Sequence, residues 1–179
     1  LNNIMITATG KASQRSLTIT AETKNGKAYV RIVGRISDWN ANNSTDFQNK
    51  VDELVKVHDN CELYINSQGG DVFQATEINN QLKRFQNVTI TVGSMAASAA
   101  PYFIACYPTT VSSNSQIMIH KPMMTTHGNE TEIQNQLKLL KSITKDYLAK
   151  YAKKTGKTPK QIEALWSSGD YWMSGTEAK

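Results

Sequence analysis

Residues 61–85 read CELYINSQGGDVFQATEINNQLKRF, and this stretch decides the fold. It opens with a short apolar run typical of a buried strand and breaks at Gly69-Gly70. Apolar residues then recur at helical spacing, at Val72, Ala75, Ile78, Leu82 and Phe85. A second strand follows at residues 88–92. Because strand, helix and strand alternate, the stretch predicts right-handed crossover units, a largely parallel sheet and an α/β fold.

The rest of the chain extends this pattern on both sides. The sequence predicts strands at residues 16–21, 28–34, 109–112 and 116–120, and a short extended segment at 170–173. It predicts helices that begin near residue 43, span 96–106 and about 129–155, and begin again at Thr158-Pro159 and at Ser174. We expect Ser44 or Thr45 to cap the first helix, Gly93 to end a strand and Gly156 to end the long helix. Residues 1–179 are interpreted as one domain with the long helix as an arm.

The composition is that of a globular protein. The chain has 179 residues, of which 39% are hydrophobic and 20% charged, with a formal net charge of +5. Its longest apolar stretch, residues 95–107, is shorter than the ~20 residues that a membrane helix needs. Lysines are scattered, many of them along the long helix, which favours a solvated helix face over a nucleic-acid surface. We therefore expect neither a membrane nor a nucleic-acid partner.

The cysteines and the chain ends bear on location. The two cysteines, Cys61 and Cys106, lie in apolar segments without metal-ligand spacing, which favours buried thiols in a reducing compartment. The first residues lack the basic and apolar regions of a secretory signal. Together these features predict a cytoplasmic protein. The last residues resemble the start of a helix, so we expect the natural chain to continue.

Two glycine-bearing breaks at strand ends are candidate chemical sites. In α/β folds, reactive groups collect where strands end and helices begin. Ser98 lies in the second break among small alanines, which leaves room for a peptide backbone, so it is a candidate nucleophile. Ser94, in the same stretch, is a competing candidate. For either serine, a helix cap or a packing residue is the ordinary alternative.

A serine nucleophile needs a base, and the chain has three histidines. His58 is expected to be solvated, and His127 lies in a polar loop. His120 ends an apolar strand, which can deliver its ring to a cleft, although a half-buried structural histidine fits the pattern as well. Asp170 precedes an apolar triplet and is either the orienting carboxylate or an ordinary turn aspartate.

Several segments, taken in order, resemble the Clp protease proteolytic subunit family (ClpP), and most of all its head-maturation relatives from phages and prophages. Residues 63–72, LYINSQGGDV, resemble the family's Tyr-Ile-Asn-Ser-Pro-Gly-Gly segment. Residues 93–100, GSMAASAA, resemble its Gly-x-Ala-Ala-Ser nucleophile segment. Residues 117–122, IMIHKP, resemble the family's Met-Ile-His-x-Pro segment. Asp170 and the aromatic-Met-Ser after it resemble the family's aspartate segment.

The resemblance implies a ClpP/crotonase-like fold of repeated ββα units with a protruding handle helix at about residues 129–155. It implies a serine endopeptidase with Ser98 as nucleophile, His120 as base and Asp170 as orienting carboxylate, without metal or cofactor. It further implies an oxyanion hole from the amides of Gly70 and Ala99. Gly69, Asp71 and Val72 would then bind an extended peptide or unfolded protein substrate.

The same resemblance implies a homo-oligomer, in the form of a heptameric ring or a stacked double ring. The sequence departs from the family at Gln68, where proline is usual, and at Ala99, where methionine is common. One residue is added between Gly93 and Ala96, and Pro101 is unusual. The first ~25 residues do not resemble the family's axial loops, so the sequence gives no support for docking to an ATP-dependent unfoldase.

Three alternatives stay open at this point. A crotonase-like domain can bind acyl-CoA thioesters through the same amides without a nucleophilic serine. A ring subunit can be catalytically silent and serve as a scaffold. A serine–lysine dyad could use Lys121, although strand alternation predicts that it points away from the face of His120.

Overall fold

The computed structural model describes residues 18–37 and 43–178. The strands are β1 (Thr18–Lys24), β2 (Lys27–Val33), β3 (Asn60–Ser67), β4 (Asn87–Ala97), β5 (Thr109–Val111), β6 (Gln116–Ile119) and β7 (Tyr171–Ser174). The helices are α1 (Ser44–Leu54), α2 (Val72–Leu82), α3 (Pro101–Cys106), α4 (Glu130–Thr155) and α5 (Pro159–Leu165). Residues 16 and 17 of the first predicted strand lie outside the described residues, and the rest of that strand belongs to β1.

The strands form one seven-stranded sheet with the order β1-β2-β3-β4-β6-β7, and β5 pairs beside β4. Strands β2, β3 and β4 are parallel, as are β4 and β6. The outer pairs β1–β2 and β6–β7 are antiparallel. The predicted α/β fold with a largely parallel sheet is therefore confirmed, and the parallel strands bring their carboxyl ends to one edge.

Two hydrophobic clusters support this sheet. The larger is aliphatic and lies between the sheet and helices α1 and α2, which bury Phe47 and Val51 on one helix and Ala75, Ile78 and Leu82 on the other. The smaller is aromatic and lies where α3, α4 and α5 meet. Its buried members are Tyr102, Ile119, Tyr147, Tyr151, Ile162 and Trp166. Ala96 and Ala99 of the larger cluster lie at the end of β4, and Ile119 of the smaller cluster is the last residue of β6.

Helix ends follow the sequence with one correction. The cap of α1 is Asn43, whose side chain accepts hydrogen bonds from the amides of Thr45 and Asp46. The prediction of Ser44 or Thr45 was wrong, because an asparagine one position earlier already supplies the side-chain oxygen that the first turn needs. Asn129 begins α4 with a capping box, and Gly156 ends that helix in a left-handed conformation, as predicted.

The chain around Gly93 differs from the prediction. Strand β4 passes through Gly93 and continues to Ala97, where a break and then a helix were expected. Ala96 pairs with Ser67 of β3, and Ala97 pairs with Met118 of β6. Pairing on both sides therefore keeps this alanine-rich segment extended in spite of its helix propensity. The helix begins only at Pro101, a position where proline is well tolerated.

The end of the chain also differs in part. Ser174 and Glu177 form the predicted capping hydrogen bonds, between the Ser174 amide and Glu177 Oε2 at 2.7 Å and between the Glu177 amide and Ser174 Oγ at 3.3 Å. Residues 175–178 form turns instead of the predicted helix.

Across the described part of the chain, no helix combines the length and the apolar character that spanning a bilayer requires.

Candidate active site

Ser98 occupies a tight turn between β4 and α3. Its backbone φ of +59° is in the left-handed region, which non-glycine residues rarely adopt. The Ser98 amide donates to the carbonyl oxygen of Met118 at 3.0 Å, and the Ala100 amide closes the turn on Ala97 at 3.0 Å. The alanines on both sides are buried. A strained serine held at a strand end by its buried neighbours is typical of functional sites.

His120 stands opposite this serine. It directly follows β6, whose pairing with β4 puts Met118 beside Ala97. The parallel register therefore carries both chains past the same sheet edge, and the His120 ring ends 2.8 Å from the hydroxyl, Nε2 to Oγ of Ser98. The side chain of His120 is only 17% exposed. This contact has the geometry in which an imidazole accepts a hydroxyl proton.

Asp170 approaches the other nitrogen of the ring. It immediately precedes β7, and the antiparallel pairing of β7 with β6 puts Tyr171 opposite Ile119. Asp170 Oδ1 lies 3.3 Å from His120 Nδ1. Its side chain is 52% exposed, in contrast to the shielded histidine. The structure thus brings the hydroxyl, the imidazole and the carboxylate into one line, in the order that a serine triad requires.

The other candidates lie elsewhere. Ser94 is exposed, and its hydroxyl donates to Asn66 Oδ1 at 2.8 Å. His58 meets Thr23 Oγ1 at 2.8 Å at the surface, and His127 is exposed in a loop. Lys121 Nζ lies 3.4 Å from Glu163 Oε1. Each of the four residues is therefore either bonded to a different partner or exposed to solvent.

The Gly69-Gly70 segment packs directly on the serine turn. A Cβ atom added at Gly69 would lie 2.3 Å from the carbonyl oxygen of Ala97 and 2.6 Å from the amide nitrogen of Ala99. Gly69 has a φ of +84° and Gly70 a φ of +147°. Glycine is required here because no side chain fits between the two backbones. The close approach brings the amide of Gly70 to the same edge as Ser98.

Two amides at this edge are unpaired. Within the described residues, the N–H groups of Gly70 and Ala99 make no hydrogen bond to the protein. By contrast, the Gly69 amide donates to Ser67 Oγ at 3.0 Å, and the Asp71 amide donates to the Ile36 carbonyl at 2.9 Å. Free amides beside a nucleophile are the groups that can stabilise an oxyanion.

A cleft of about 360 Å³ opens beside Gly70. Gly70, Asp71 and Val72 are among the residues that line it. The carboxylate of Asp71 also caps α2, where it accepts hydrogen bonds from the amides of Phe73 and Gln74. Residues that the sequence reasoning did not single out complete the lining. They are Arg35, Ile36, Phe73, Pro122, Met123, Met124, Leu140 and Ile143. The apolar run that follows His120 was the available signal for part of this wall.

The cysteines lie away from the site and are both free thiols. Cys61 is buried in the aliphatic core, and burial raises its pKa to about 12. Cys106 is half-buried. Among the described residues, no group of three or more His, Cys, Asp or Glu side chains is arranged to hold a metal ion.

Comparisons with known proteins point in one direction. The family model described as Clp protease matches residues 26–179. The chain is 30% identical over 122 residues to the ATP-dependent Clp protease proteolytic subunit 2 of Tropheryma whipplei (strain Twist), which covers 65% of this chain and 66% of that protein. It is 27% identical over 151 residues to the ATP-dependent Clp protease proteolytic subunit of Bacteroides fragilis (strain YCH46), covering 81% of this chain and 67% of the relative.

A further relative covers less of its own length. The chain is 31% identical over 121 residues to the ATP-dependent Clp protease proteolytic subunit 3 of Rhodococcus jostii (strain RHA1), which is 65% of this chain and 59% of that protein. The chain thus spans about two thirds of the length of the curated relatives it matches. The matched region includes every residue of the candidate site.

Proposed function

This chain belongs to the Clp protease family, and we propose that it is a serine endopeptidase that cleaves peptide bonds with Ser98, His120 and Asp170. The observation that carries the proposal is the line of two short contacts, 2.8 Å from Ser98 Oγ to His120 Nε2 and 3.3 Å from His120 Nδ1 to Asp170 Oδ1. Three residues far apart in the sequence meet in the order that acyl transfer requires.

In the proposed reaction, His120 Nε2 accepts the proton of the Ser98 hydroxyl as the oxygen attacks the substrate carbonyl carbon. The carbonyl π electrons move to its oxygen, and the amides of Gly70 and Ala99 donate to this oxyanion. Asp170 stabilises the imidazolium through Nδ1. The imidazolium then protonates the leaving amine as the C–N bond breaks. Water, deprotonated by His120, finally hydrolyses the acyl-enzyme and restores the serine.

The proposed substrate is an extended peptide or an unfolded protein segment that lies along Gly70 and Val72. The cleft beside Gly70 is lined mainly by apolar side chains, and its volume of about 360 Å³ can receive a substrate side chain. Pairing of the substrate backbone with this segment would add a strand to the sheet. Gly69 and Asp71 would support that segment through their own hydrogen bonds to Ser67 and Ile36.

We further propose that the protein works as a homo-oligomeric ring, heptameric or a stacked double ring, in the cytoplasm. Helix α4 is 26 residues long and exposes large apolar side chains along it. These are Ile133, Leu137 and Leu139, each exposed by more than two fifths. Exposed apolar side chains on an arm are suited to contact with another subunit. The resemblance to head-maturation proteases makes capsid processing the candidate role.

The decisive experiment is labelling with a fluorophosphonate, a reagent that phosphonylates activated serines: the serine oxygen bonds to phosphorus and fluoride leaves. We expect wild-type protein to be labelled and to hydrolyse unfolded casein or quenched peptides, and Ser98→Ala to lose both activities. Ser94→Ala is the matched control, because Ser94 lies on β4 shortly before Ser98 but bonds to Asn66, and this variant should keep both the labelling and the hydrolysis. Labelling that survives in Ser98→Ala and disappears in Ser94→Ala would contradict the proposal.

The same preparation discriminates the rival functions. Turnover of acyl-CoA thioesters without labelling of Ser98 would favour a crotonase-like enzyme. A ring that is neither labelled nor active on any peptide would favour a silent scaffold subunit. Size-exclusion chromatography with light scattering measures the ring, and a monomer at all concentrations would contradict the oligomer.

A further inference from the structure

We propose that Arg35 selects substrates with an acidic side chain close to the cleaved bond. The inference rests on the proposed peptidase function and specifies its substrate class. It starts from the charges in the cleft. Among the described residues that line it, Arg35 and Asp71 carry the only charges, and the other lining residues are glycine or apolar. What these two charges bind decides what the cleft can recognise.

The carboxylate of Asp71 already has hydrogen-bond partners within the protein. It accepts hydrogen bonds from the amides of Phe73 at 2.8 Å and Gln74 at 2.9 Å, where it caps α2. A carboxylate that serves the first turn of a helix is stabilised by those donors and by the helix dipole. It is therefore not free to neutralise a cation elsewhere in the cleft.

Arg35 is not committed. It is exposed, and within the described part of the chain its guanidinium takes part in no hydrogen bond or ion pair. This differs from Arg84, which pairs with Asp52, and from Arg31, which lies over the ring of Tyr64 at 5.1 Å. Counting the described residues alone, the cleft therefore presents one unpaired planar cation, whose preferred partner is a carboxylate.

The position of Arg35 ties it to the proposed chemistry. Its neighbour Ile36 forms a parallel bridge with Gly70, through the Ile36 amide to the Gly69 carbonyl and the Asp71 amide to the Ile36 carbonyl, both at 2.9 Å. Gly69 in turn packs on the backbone of residues 97–99. The segment that contains Arg35 is therefore bonded to the Gly69-Gly70 segment, which in turn packs on the serine turn.

The rest of the cleft sets the context for that acidic side chain. Val72, Met124, Leu140 and Ile143 supply an apolar wall, and apolar surroundings strengthen a pair between charges by excluding water. We therefore infer a preference for sequences in which an apolar residue stands next to Glu or Asp. Both side chains would be within three residues of the cleaved bond.

The test uses quenched peptides that differ at a single position, which holds Glu, Gln or Lys, scanned over three residues on each side of the cleaved bond. At one or two positions we expect wild-type kcat/KM to be about fivefold higher for Glu than for Gln, the range of a partly exposed ion pair. Arg35→Gln should reduce this ratio to about one, and Arg35→Glu should reverse it in favour of Lys. Sodium chloride at 0.5 M should weaken the wild-type preference.

Arg31→Gln is the matched control, since it removes the same charge from the preceding strand at a residue that does not line the cleft. It should keep the wild-type ratio. A wild-type enzyme without acidic preference at any position would overturn the inference, as would an Arg35→Gln variant that retains the preference.

A binding measurement separates this failure from failure of the proposed function. Ser98→Ala protein, with and without Arg35→Gln, is titrated with fluorescent Glu and Gln peptides and followed by anisotropy. If no peptide is hydrolysed by wild type but Glu peptides bind Ser98→Ala about fivefold tighter in an Arg35-dependent way, the peptidase proposal fails and the Arg35 inference stands. If hydrolysis occurs with no such dependence, only the inference fails.

Discussion

The two contacts of the His120 ring are held by different regions of the molecule. On the Ser98 side, 2.8 Å separates the hydroxyl from Nε2, and the serine lies between two buried alanines, Ala97 and Ala99, of which Ala99 belongs to the aliphatic core. On the Asp170 side, the distance is 3.3 Å, and the carboxylate is 52% exposed. The histidine is therefore fixed firmly by one partner and loosely by the other.

The two contacts differ because Ser98 and Asp170 lie next to different structural elements. Ser98 ends a long strand that is paired on both sides, and Gly69 is packed on the turn. Asp170 follows an exposed surface turn after α5. It is flanked by Gly169, whose amide donates to the Trp166 carbonyl at 3.2 Å, and by Tyr171, which begins the short β6–β7 pair and packs against the aromatic cluster. Close packing fixes the position of a side chain, whereas a side chain on an exposed loop is held by only a few hydrogen bonds.

The largest predicted effect compares the two partners directly. We expect His120→Gln to lower kcat about 10⁶-fold, which is what removing a base costs when residues act as a unit. Asp170→Asn should cost about 10³-fold, because a half-exposed carboxylate stabilises the imidazolium less than a buried one does. Steady-state hydrolysis of one peptide by both variants, corrected with Ser98→Ala as background, gives the two losses. Equal losses would contradict the asymmetry between the two contacts.

The next prediction concerns the packing beneath Ser98. Gly69→Ala combines a positive φ with a Cβ atom 2.3 Å from the Ala97 carbonyl oxygen, a backbone atom that moves only with the serine turn. We expect a loss of about 3 kcal/mol or more in the free energy of unfolding, together with loss of fluorophosphonate labelling. Urea denaturation and labelling measure the two effects.

Gly156→Ala is the matched control for this change. Gly156 has a φ of +69°, but a Cβ atom there would meet nothing within 4 Å. The variant should lose only about 1 kcal/mol from the left-handed conformation and should keep full labelling. If both alanine variants behaved alike, contact between the glycine segment and the serine turn would not be what holds Ser98.

Local signals made much of the fold predictable from the sequence. Asn129 begins α4 with capping hydrogen bonds, and Gly156 ends it in a left-handed conformation. Both features depend only on residues nearby in the sequence. Gly93 and the following alanines misled the prediction because their structure depends on β3 and β6, which are distant in the sequence. Pairing with those strands overrides the local propensity.

The candidate site shows the same division. The residue types at Ser98, His120 and Asp170 were identified by resemblance, and spacing alone left their alternatives open. Their proximity arises from the β4–β6 and β6–β7 registers, which no local pattern encodes. Arg35 gave no signal of its own, because its place in the cleft results from the bridge between Ile36 and Gly70.

The smallest predicted effect tests the aromatic cluster that supports the Asp170 side. Among the described residues, the buried hydroxyl of Tyr147 finds no hydrogen-bond partner, whereas Tyr102 donates to Asp146 Oδ2 at 2.8 Å. An unsatisfied buried hydroxyl costs about 1–3 kcal/mol, so Tyr147→Phe should raise the free energy of unfolding at pH 7 by about 1 kcal/mol. Tyr102→Phe, which removes a satisfied donor, should lower it instead.

Alkaline pH distinguishes this effect from simple repacking. Burial, and then the nearby Asp146 carboxylate, raises the pKa of Tyr147 above its usual value near 10. The unfolded chain therefore releases this proton at lower pH than the folded protein, so the stability linked to Tyr147 is intact below pH 10 and is lost as the pH rises above it. Tyr147→Phe should make the decline between pH 9 and 11 shallower in urea denaturation. A decline as steep as that of wild type would mean that the other buried tyrosines dominate and that Tyr147 is not the weak point of the cluster.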